Sequence, residues 1–313
     1  MGDIIYTSPI IRCLKNQLEN VEIHYLTKPA FKFLLDENPY LDKLHLLKPK
    51  LSETIEALKA ENFDFVIDLH SSLRSLLVKV RLGVKSSTYQ KERLKKWMAI
   101  KLKINKVEPI HLVDRYLKAV AFLGVKNDGK PIDYFLPDDV KGIEEILPNH
   151  YSKPYVAFII GATHFTKRMP NKKVIATIQK IKIPVILLGG KDVLPNADII
   201  SAGLSQEIIN LTGIISLNES VAVVKNAAYV IGFDTGLTHI AEAFNKKLVT
   251  IWGSTVPELL GVQPYKLDKH LEVSIDLDCR PCSKFGLSAC PKGHFKCMND
   301  INEKQIADFI EYE

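Results

Sequence analysis

Short apolar segments alternate with segments of helical periodicity along most of the chain. Residues 64–69 and 185–188 are apolar runs too short for helices, whereas residues 73–82 and 217–226 repeat apolar positions every three to four residues. This alternation is typical of parallel α/β sheets whose strands are joined by crossover helices. In the first half it predicts helices over residues 8–18, 51–60, 73–82, 92–103 and 112–123, and strands over residues 21–26 and 64–69.

A proline-rich segment separates two series of such elements. Residues 124–154 contain four prolines and show weak periodicity, which favours a connection between domains. We therefore predict an amino-terminal domain over residues 1–140 and a carboxyl-terminal domain over residues 141–313. The second series comprises strands over residues 155–160, 185–188, 208–211, 229–233 and 248–252, and helices over residues 171–181, 197–204, 217–226 and 237–244.

Length and composition agree with two globular domains. The chain has 313 residues, of which 46% are hydrophobic and 25% charged, and this excludes disordered and fibrous proteins. The longest apolar runs, residues 155–162 and 184–188, are far shorter than the roughly 18 to 20 residues that cross a bilayer. The first residues do not resemble a secretory signal, so we expect a cytoplasmic protein.

A net charge of +6 favours anionic partners such as phosphorylated substrates, nucleic acid or an anionic lipid surface. Cations are dense in residues 85–106, named here the basic segment, where Glu92 is the only acid and Trp97 lies in the middle. A solvated helical face explains this pattern, and so does a docking site for an anionic acceptor or a membrane. The cations of the basic segment are Lys85, Lys91, Arg93, Lys95, Lys96, Lys101, Lys103 and Lys106.

The segment of residues 229–239 predicts an anion site. A buried strand leads into Asp234-Thr235-Gly236 and then into a helix. The free N–H groups and the positive dipole end of that helix, with Gly236 permitting close approach, suit a diphosphate. A purely structural alternative is that Asp234 or Thr235 caps the helix.

A second strand-to-helix connection, residues 161–170, is polar and basic. Thr163, Thr166, Lys167 and Arg168 all carry groups that donate to phosphate, and Pro170 marks the start of a helix. A cation facing a leaving diphosphate offsets the charge that develops as a glycosyl bond breaks. An ordinary basic surface loop is the alternative.

A carboxylate near the amino terminus is a candidate general base. Asp3 precedes the first predicted helix. To act on a sugar hydroxyl, its carboxylate must reach hydrogen-bond distance of the attacking oxygen. Helix capping is the simpler role for a single aspartate in this position.

Together these segments resemble glycosyltransferase family 9, the ADP-heptose:lipopolysaccharide heptosyltransferases, over nearly the whole chain. Residues 234–239 match the Asp-Thr-Gly-x-x-His signature, which is the most specific of the motifs. The other similarities join residues 2–9 to the Gly-Asp motif, 64–69 to the second buried strand, 163–170 to the Thr...Lys-Arg-Trp-Pro loop, 216–219 to the Ser-Leu-x-Glu helix start and 252–257 to the Gly-x-Thr-x-Pro loop.

The resemblance implies an α/β fold of the GT-B type, with two Rossmann-like, doubly wound parallel-sheet domains facing a cleft. The carboxyl-terminal domain of such proteins holds an ADP-sugar and the amino-terminal domain holds the acceptor, here the inner core of lipopolysaccharide. No catalytic metal is needed for this chemistry. The implied location is the cytoplasm, with peripheral contact at the inner face of the inner membrane.

Site residues follow from the same resemblance. Asp3 would deprotonate the acceptor hydroxyl, which attacks the anomeric carbon with inversion as ADP leaves, and Lys167 would face the diphosphate. Asp192 and Glu219 are candidates for contacts with the base or ribose. The expected nucleotide-sugar-binding residues are Thr163, Asp192, Glu219, Asp234, Thr235, Gly236, Leu237 and His239, and the expected acceptor-binding residues are Lys91, Arg93, Lys95 and Lys96.

The chain departs from the family pattern in two places. Family members have a β-strand before the Gly-Asp motif, whereas Met1 stands here in its place. Either the start codon lies further upstream or a central strand is absent, and we expect the former. Met169 replaces a common tryptophan, which we expect to change only packing.

Four of the five cysteines are clustered near the end of the chain. Cys279, Cys282, Cys290 and Cys297, with His294 nearby, have the residue types of a structural zinc site, although their spacing is irregular for one. Reduced thiols packed in a loop and redox pairing are the alternatives, and similar segments occur in related family members. Cys13 stands alone in the first helix and is interpreted as a buried apolar residue.

Three rival functions remain open on the sequence. The first is a family 9 transferase that uses another activated sugar or another acceptor. The second is a non-catalytic GT-B module that binds a nucleotide sugar or glycan. The third, a nucleic-acid-binding role, rests only on the basic segment and Trp97, and no recognition motif for nucleic acid accompanies them. We therefore expect no nucleic-acid partner.

Overall fold

The computed structural model describes residues 1–148, 154–206 and 208–310. By their internal contacts these residues form two compact units. The first unit comprises Met1–Arg93 and Glu108–Phe135, and the second comprises Leu94–Val107 and the described residues from Leu136 onward. The second unit thus includes part of the basic segment as well as the carboxyl-terminal half of the chain.

The elements up to residue 135 are mostly short. All five predicted helices of this part are confirmed, the last with a 3₁₀ turn completing it, whereas strands at residues 43–46 and 85–88 were not predicted. The elements are α1 (Gly2–Ile5), α2 (Ser8–Gln17), β1 (His24–Thr27), β2 (Lys43–Leu46), α3 (Leu51–Lys59), β3 (Phe65–Asp68), α4 (Leu73–Leu82), β4 (Lys85–Thr88), α5 (Arg93–Lys101) and α6 (Leu112–Lys118), with 3₁₀ turns at Pro29–Leu34 and Ala121–Leu123.

The first unit contains two small parallel sheets, one of β1 and β2 and one of β3 and β4. Among the described residues no strand joins the two. The unit is held together in part by Arg12 of α2, which is buried and pairs with Asp128 at 2.7 Å and with Asp133. Since a buried guanidinium is stable only when it is paired, this cluster fixes α2 against residues 128–133.

The second unit is built on one six-stranded parallel sheet. Its elements are α7 (Ile143–Ile146), β5 (Val156–Ile159), α8 (Asn171–Ile178), β6 (Val185–Leu188), α9 (Leu194–Ala202), β7 (Ile208–Asn210), α10 (Leu217–Asn226), β8 (Tyr229–Phe233), α11 (Gly236–Ala243), β9 (Lys247–Trp252), α12 (Pro257–Leu260), β10 (His270–Ser274), α13 (Lys296–Asn299) and α14 (Glu303–Phe309), with 3₁₀ turns at Phe165–Lys167 and Lys191–Val193.

The strand order in this sheet is β10-β9-β8-β5-β6-β7. All residues of β5, β6 and β8 are buried, as expected for strands covered by helices on both faces. The chain runs outward from β5 to β7 and then crosses to β8 on the other side, so the sheet is doubly wound with a switch point between β5 and β8. The predicted α/β class with parallel sheets is confirmed.

Every predicted strand of the second series is present, and β10 is additional. The predicted domain boundary falls between α6 and α7, and residues 149–153 of the proline-rich segment lie outside the described residues. Among the helices of the described ranges, none has the length and apolar character needed to cross a membrane.

Candidate functional site

The candidate site lies at the carboxyl ends of β5, β8 and β9, which are neighbours in the sheet. The loop after β5 carries Lys167, the turn after β8 carries Asp234, and Gly253 follows β9. Ligands of open parallel sheets bind at this edge, next to the switch point, because the strand-to-helix loops diverge there. The three motifs that were separate in the sequence are thus brought to one edge.

Four charged side chains form a chain of contacts at this edge, named here the charged tetrad. Lys167 Nζ lies 2.5 Å from Asp234 Oδ2, and Asp234 Oδ1 lies 3.5 Å from His239 Nε2. On the other side of the ring, His239 Nδ1 lies 3.7 Å from Glu242 Oε2. All four side chains are largely buried, so each charge depends on its neighbours for stabilisation.

The protonation states of the tetrad follow from its contacts. Burial would raise the pKa of Asp234, but the hydrogen bond with His239 and the charge of Lys167 lower that pKa to about 2. Burial would lower the pKa of His239, but its hydrogen bonds with Asp234 and Glu242 raise that pKa to about 9. At neutral pH the site therefore holds an aspartate paired with a lysine and an imidazolium.

The amino terminus of α11 is suited to an anion. The N-cap residue, Thr235, makes no side-chain capping bond, and its hydroxyl lies 3.2 Å from that of Thr238. The first intrahelical bond runs from His239 N to Thr235 O, so the amides before it precede the helical ladder. This terminus, beside Lys167 and Asp234, is a place where backbone donors and a cation meet.

Close approach of α11 to β8 depends on Gly232. A Cβ atom at this position would lie 2.2 Å from Thr238 Oγ1 and 3.2 Å from Thr238 Cβ. The missing side chain thus lets the first turn of α11 pack directly on the end of β8. This contact sets where the helix begins, and with it the position of the free amides.

Thr166 has a structural role, which corrects the interpretation of its hydroxyl as a phosphate donor. Its Oγ1 accepts hydrogen bonds from Ser254 Oγ and Leu287 N, both at 2.7 Å, and donates to Leu287 O at 3.2 Å. The residue is buried and joins the loops after β5 and β9 to residue 287. Thr163, in contrast, is exposed and free of this network.

Arg168 and Asp192 pair with each other. Arg168 Nη2 lies 2.7 Å from Asp192 Oδ2, while its Nε donates to Ala162 O. This pair joins the loop after β5 to the turn after β6. Asp192 remains largely exposed, and its contact with a ribose or base stays a prediction.

Glu219 forms a capping box with Ser216 at the start of α10. One carboxylate oxygen accepts from Ser216 N at 2.7 Å and the other lies 3.0 Å from Lys141 Nζ. The bond from the backbone of Ser216 and the contact with Lys141 lower the pKa of Glu219 to about 2. A role in nucleotide binding stays a prediction beside this structural one.

The sequence model of glycosyltransferase family 9 (heptosyltransferase) matches residues 52–289, about three quarters of the chain. The chain belongs to glycosyltransferase family 9. Lipopolysaccharide heptosyltransferase 1 of Campylobacter coli is 27% identical over 282 residues, which cover 82% of each chain. Lipopolysaccharide heptosyltransferase 3 of Escherichia coli K12 is 26% identical over 276 residues, 81% of this chain and 80% of that one.

Solved structures show the same fold for this family 9 member. The E. coli ADP-heptose lps heptosyltransferase II superposes with a TM-score of 0.70 at 18% identity, over 99% of this chain and 94% of that one. At this level of identity the similarity shows the fold alone. The predicted GT-B fold is therefore confirmed for this glycosyltransferase.

In the first unit of the glycosyltransferase, Asp3 is exposed in the short helix α1. Burial raises the pKa of Tyr25 to about 12, and the charge of Asp3 adds to this rise. Burial and the charge of Lys91 lower the pKa of His70, and the charge of Asp3 opposes this shift. The charge of Asp3 thus acts on Tyr25 of β1 and on His70, which follows β3.

The expected acceptor-binding residues are divided between the units. Lys91 and Arg93 belong to the first unit and donate to the carbonyl oxygens of His70 and Ser71, just after β3. Lys95 and Lys96 belong to the second unit. Lys96 is only 7% exposed and its Nζ lies 3.5 Å from Leu260 O, so the basic segment is not a uniformly solvated face.

Two contributors to the site were not recognised in the sequence. Glu242 completes the charged tetrad and accepts a bond from Tyr265 N at 2.6 Å, and its spacing of three residues from His239 was the available signal. Arg280 donates to Gly253 O at 2.6 Å and to Thr255 O at 3.0 Å, and so holds the loop after β9.

All five cysteines of this family 9 chain are free thiols. Cys13 is buried, as predicted. In the clustered segment, Cys279 Sγ lies 3.9 Å from His294 Nε2, and Cys282 Sγ donates to Cys279 O. Burial is the main cause that raises the pKa of Cys297 to about 11, which keeps this thiol protonated. A structural zinc at these residues stays a prediction.

Proposed function

We propose that this chain transfers heptose from an ADP-activated donor to the inner core of lipopolysaccharide, with inversion at the anomeric carbon. The observation that carries the proposal is the pairing of Lys167 with Asp234 at the start of α11. Support for the sugar comes from the heptosyltransferases among its relatives, and support for ADP comes from the printed name of E. coli ADP-heptose lps heptosyltransferase II.

The diphosphate of the donor would lie against the start of α11. The amides of Gly236 and Leu237 and the hydroxyl of Thr235 offer donors there, and Thr163 offers another from the loop after β5. Lys167 is held by Asp234 at the same edge, which orients its ammonium before the substrate binds. Preorganised positive charge of this kind stabilises a leaving diphosphate more than the intact donor.

Asp3 would act as the general base in the transfer step. Its carboxylate accepts the proton of the acceptor hydroxyl while the hydroxyl oxygen forms a bond to the anomeric carbon. The bond between that carbon and the phosphate oxygen breaks, and ADP leaves with the electron pair. Lys91 and Arg93, which contact the carbonyl oxygens just after β3, would hold the anionic acceptor.

An anionic membrane surface is the proposed docking partner of α4. Leu73, Leu76, Leu77 and Val80 form one face of this helix and are between 49% and 80% exposed, and Arg74 and Arg81 flank them. An apolar stripe flanked by arginines is suited to the interface of an anionic bilayer. A surface-bound enzyme of this kind would find lipid-linked acceptors by diffusion along the membrane.

Release of ADP from ADP-heptose, with a heptose-deficient lipopolysaccharide acceptor, tests the transfer. We expect acceptor-dependent release that is lost in Asp3→Asn and reduced at least about 100-fold in Lys167→Met, as for loss of one preorganised transition-state contact. Lys173→Met is the matched control. Lys173 Nζ lies 2.5 Å from Glu303 Oε1, and this ion pair includes no residue of the site. ADP binding without release on any heptose-deficient acceptor would instead support another acceptor or the binding module.

Flotation with lipid vesicles tests the docking surface. The protein should float with vesicles that contain anionic lipid, and Leu77→Ser with Val80→Ser should abolish flotation because both remove apolar contact area. Ile214→Ser is the control, since Ile214 is an apolar residue of the second unit that is at least as exposed as Leu77 and Val80. Equal flotation of all variants would contradict the assignment of α4.

A further inference from the structure

Two histidines and a glutamate of the first unit meet at a position with no role in the transfer. His24 Nδ1 lies 3.0 Å from His45 Nε2. The carboxylate of Glu61 lies 3.9 Å from each of these nitrogens. Among the described residues, this is the one group of three histidine, cysteine or acidic side chains whose ligand atoms all lie within 4.8 Å of one another.

The fold fixes these side chains from three directions. His24 begins β1, His45 lies in β2, and Glu61 follows α3. In the parallel register Leu26 pairs with His45, so the two histidines lie on the same face of the sheet, two residues apart along the strands. Phe63 packs edge-on against both rings, which leaves them 8% and 12% exposed.

A fourth residue orients the first ring. Glu22 Oε1 lies 2.8 Å from His24 Nε2. An ionised carboxylate only accepts, so Nε2 carries the proton and, in the neutral ring, Nδ1 presents its lone pair to the cluster. Metal-binding histidines are typically held in this way, with the second nitrogen donating to a carboxylate.

We propose that His24 Nδ1, His45 Nε2 and the Glu61 carboxylate form a binding site for a divalent transition-metal ion, with Zn²⁺ as the representative ion. Metal–ligand distances of about 2.0 to 2.2 Å put tetrahedral ligand atoms roughly 3.3 Å apart. The observed separations of 3.0 to 3.9 Å bracket this value. In the metal-free protein His45 Nε2 donates to His24 Nδ1, and binding requires the other neutral tautomer of His45, with its proton on Nδ1, so that both facing nitrogens present lone pairs to the ion.

Lys43 opposes the ion in the metal-free protein. Its Nζ lies 2.6 Å from Glu61 Oε1, so it neutralises the carboxylate that the ion would use. The lysine side chain is about half exposed and is free to swing into solvent when a cation takes its place. Removal of this lysine should therefore strengthen binding, which a purely structural histidine pair would not predict.

The role we assign to the ion is structural. It would join β1, β2 and the loop after α3, in a unit whose strands belong to two separate two-stranded sheets. The ligands lie on elements other than those carrying Asp3, Lys91 and Arg93, so the ion is assigned no part in proton transfer. Three protein ligands leave a fourth position for water.

Calorimetric titration of Zn²⁺ into the chelator-treated full-length chain tests the proposal. We expect a site that is lost in His45→Gln, weakened about 10- to 100-fold in Glu22→Gln and strengthened in Lys43→Gln. His270→Gln is the matched control, because this exposed histidine lies in the second unit. A rise in the unfolding temperature on addition of Zn²⁺ should disappear only in His45→Gln.

The four clustered cysteines are the other candidate metal site of the chain. The variant Cys279→Ser distinguishes metal bound there from metal bound by the histidines. In Cys279→Ser, Co²⁺ should still bind to the histidine site, and the absorption spectrum lost in His45→Gln should contain no thiolate charge-transfer bands. Unchanged binding in His45→Gln, or binding lost in Cys279→Ser but not in His45→Gln, would overturn the proposal. Circular dichroism and ADP binding of each variant identify those that fail to fold, and the gain in Lys43→Gln is independent of such failures.

Discussion

At the scale of single residues, the charged tetrad explains how four ionisable groups are buried beside a diphosphate site. Two cations, Lys167 and His239, alternate with two carboxylates, Asp234 and Glu242, so the net charge is zero. Each inner member contacts opposite charges on both sides, which offsets the cost of removing it from water. His239 thereby fixes Asp234, and Asp234 fixes Lys167.

The raised pKa of His239 makes stability fall at alkaline pH. Its folded pKa is about 9 and its ordinary value is 6.5, so the protonated ring stabilises the folded state fully below pH 6.5 and this contribution is lost as pH rises through 9. Within that window the loss approaches about 1.4 kcal/mol per pH unit. Urea unfolding of the wild type and His239→Gln from pH 6 to pH 10 measures it.

The difference between the two proteins isolates His239 from other groups that titrate at high pH. It should be largest near pH 6 and should shrink steadily toward pH 10. A difference in unfolding free energy that stays constant over this range would show that folding does not raise the pKa of His239.

Membership of the candidate site was predictable for residues in a motif that directly follows a strand. Asp234 and Lys167 stand at strand-to-helix connections, and their position at one sheet edge follows from the α/β alternation. The spacing of three residues was the one signal for the pairing of Glu242 with His239, and the burial of Thr166 was not predictable, because both depend on which helix face and which neighbouring loop cover the site. Contacts such as Thr166 with Ser254 join residues far apart in sequence.

At the scale of elements, the connection from β8 to α11 positions the proposed diphosphate site. Gly232 is the last residue but one of β8. Thr238 occupies the space that a side chain at residue 232 would need. Thr238 is β-branched and bonds to Thr235, so it has little freedom to move away. A side chain at residue 232 must therefore displace the start of α11.

Gly232→Ala should lower the unfolding free energy by about 1 to 3 kcal/mol, the usual cost of overpacking a core. It should also weaken ADP binding, because the amides of Gly236 and Leu237 move with the helix start. Denaturant unfolding and ADP titration measure the two effects. In Gly232→Ala combined with Thr238→Ala, the obstructing side chain is gone, and the pair should be less destabilised than the sum of the single variants.

Additive losses in that double variant would contradict the steric explanation.

Helix and strand positions elsewhere were largely predictable, since apolar periodicity is strong in α4 and α10 and β8 is a short continuous apolar run. The strands β2 and β4 were not, because Lys43–Leu46 and Lys85–Thr88 are four-residue strands with polar or alternating composition. Their strand conformation depends on pairing with β1 and β3.

At the scale of the whole molecule, the two units differ in how their sheets are protected. The second unit has six paired strands with a fully buried centre, whereas the strands of the first unit are partly exposed and paired only two by two in the described residues. Two-stranded sheets have little stability of their own. The first unit therefore depends more on its helices and on buried clusters such as that of Arg12.

Hydrogen exchange should show that amides in the sheet of the second unit are better protected than amides in the sheets of the first unit. Amides of β5, β6 and β8 should exchange only through the largest openings, and amides of β1 to β4 should exchange through smaller ones. ADP at about 100 times its dissociation constant should add about 2.7 kcal/mol of protection to openings that expose its site. If the second unit carries that site and opens by itself, mass spectrometry will show the added protection in β5, β8 and α11 and not in β1 to β4. Equal added protection in all strands would mean that the two units unfold together, and none in β5 or β8 would remove ADP from this edge of the sheet.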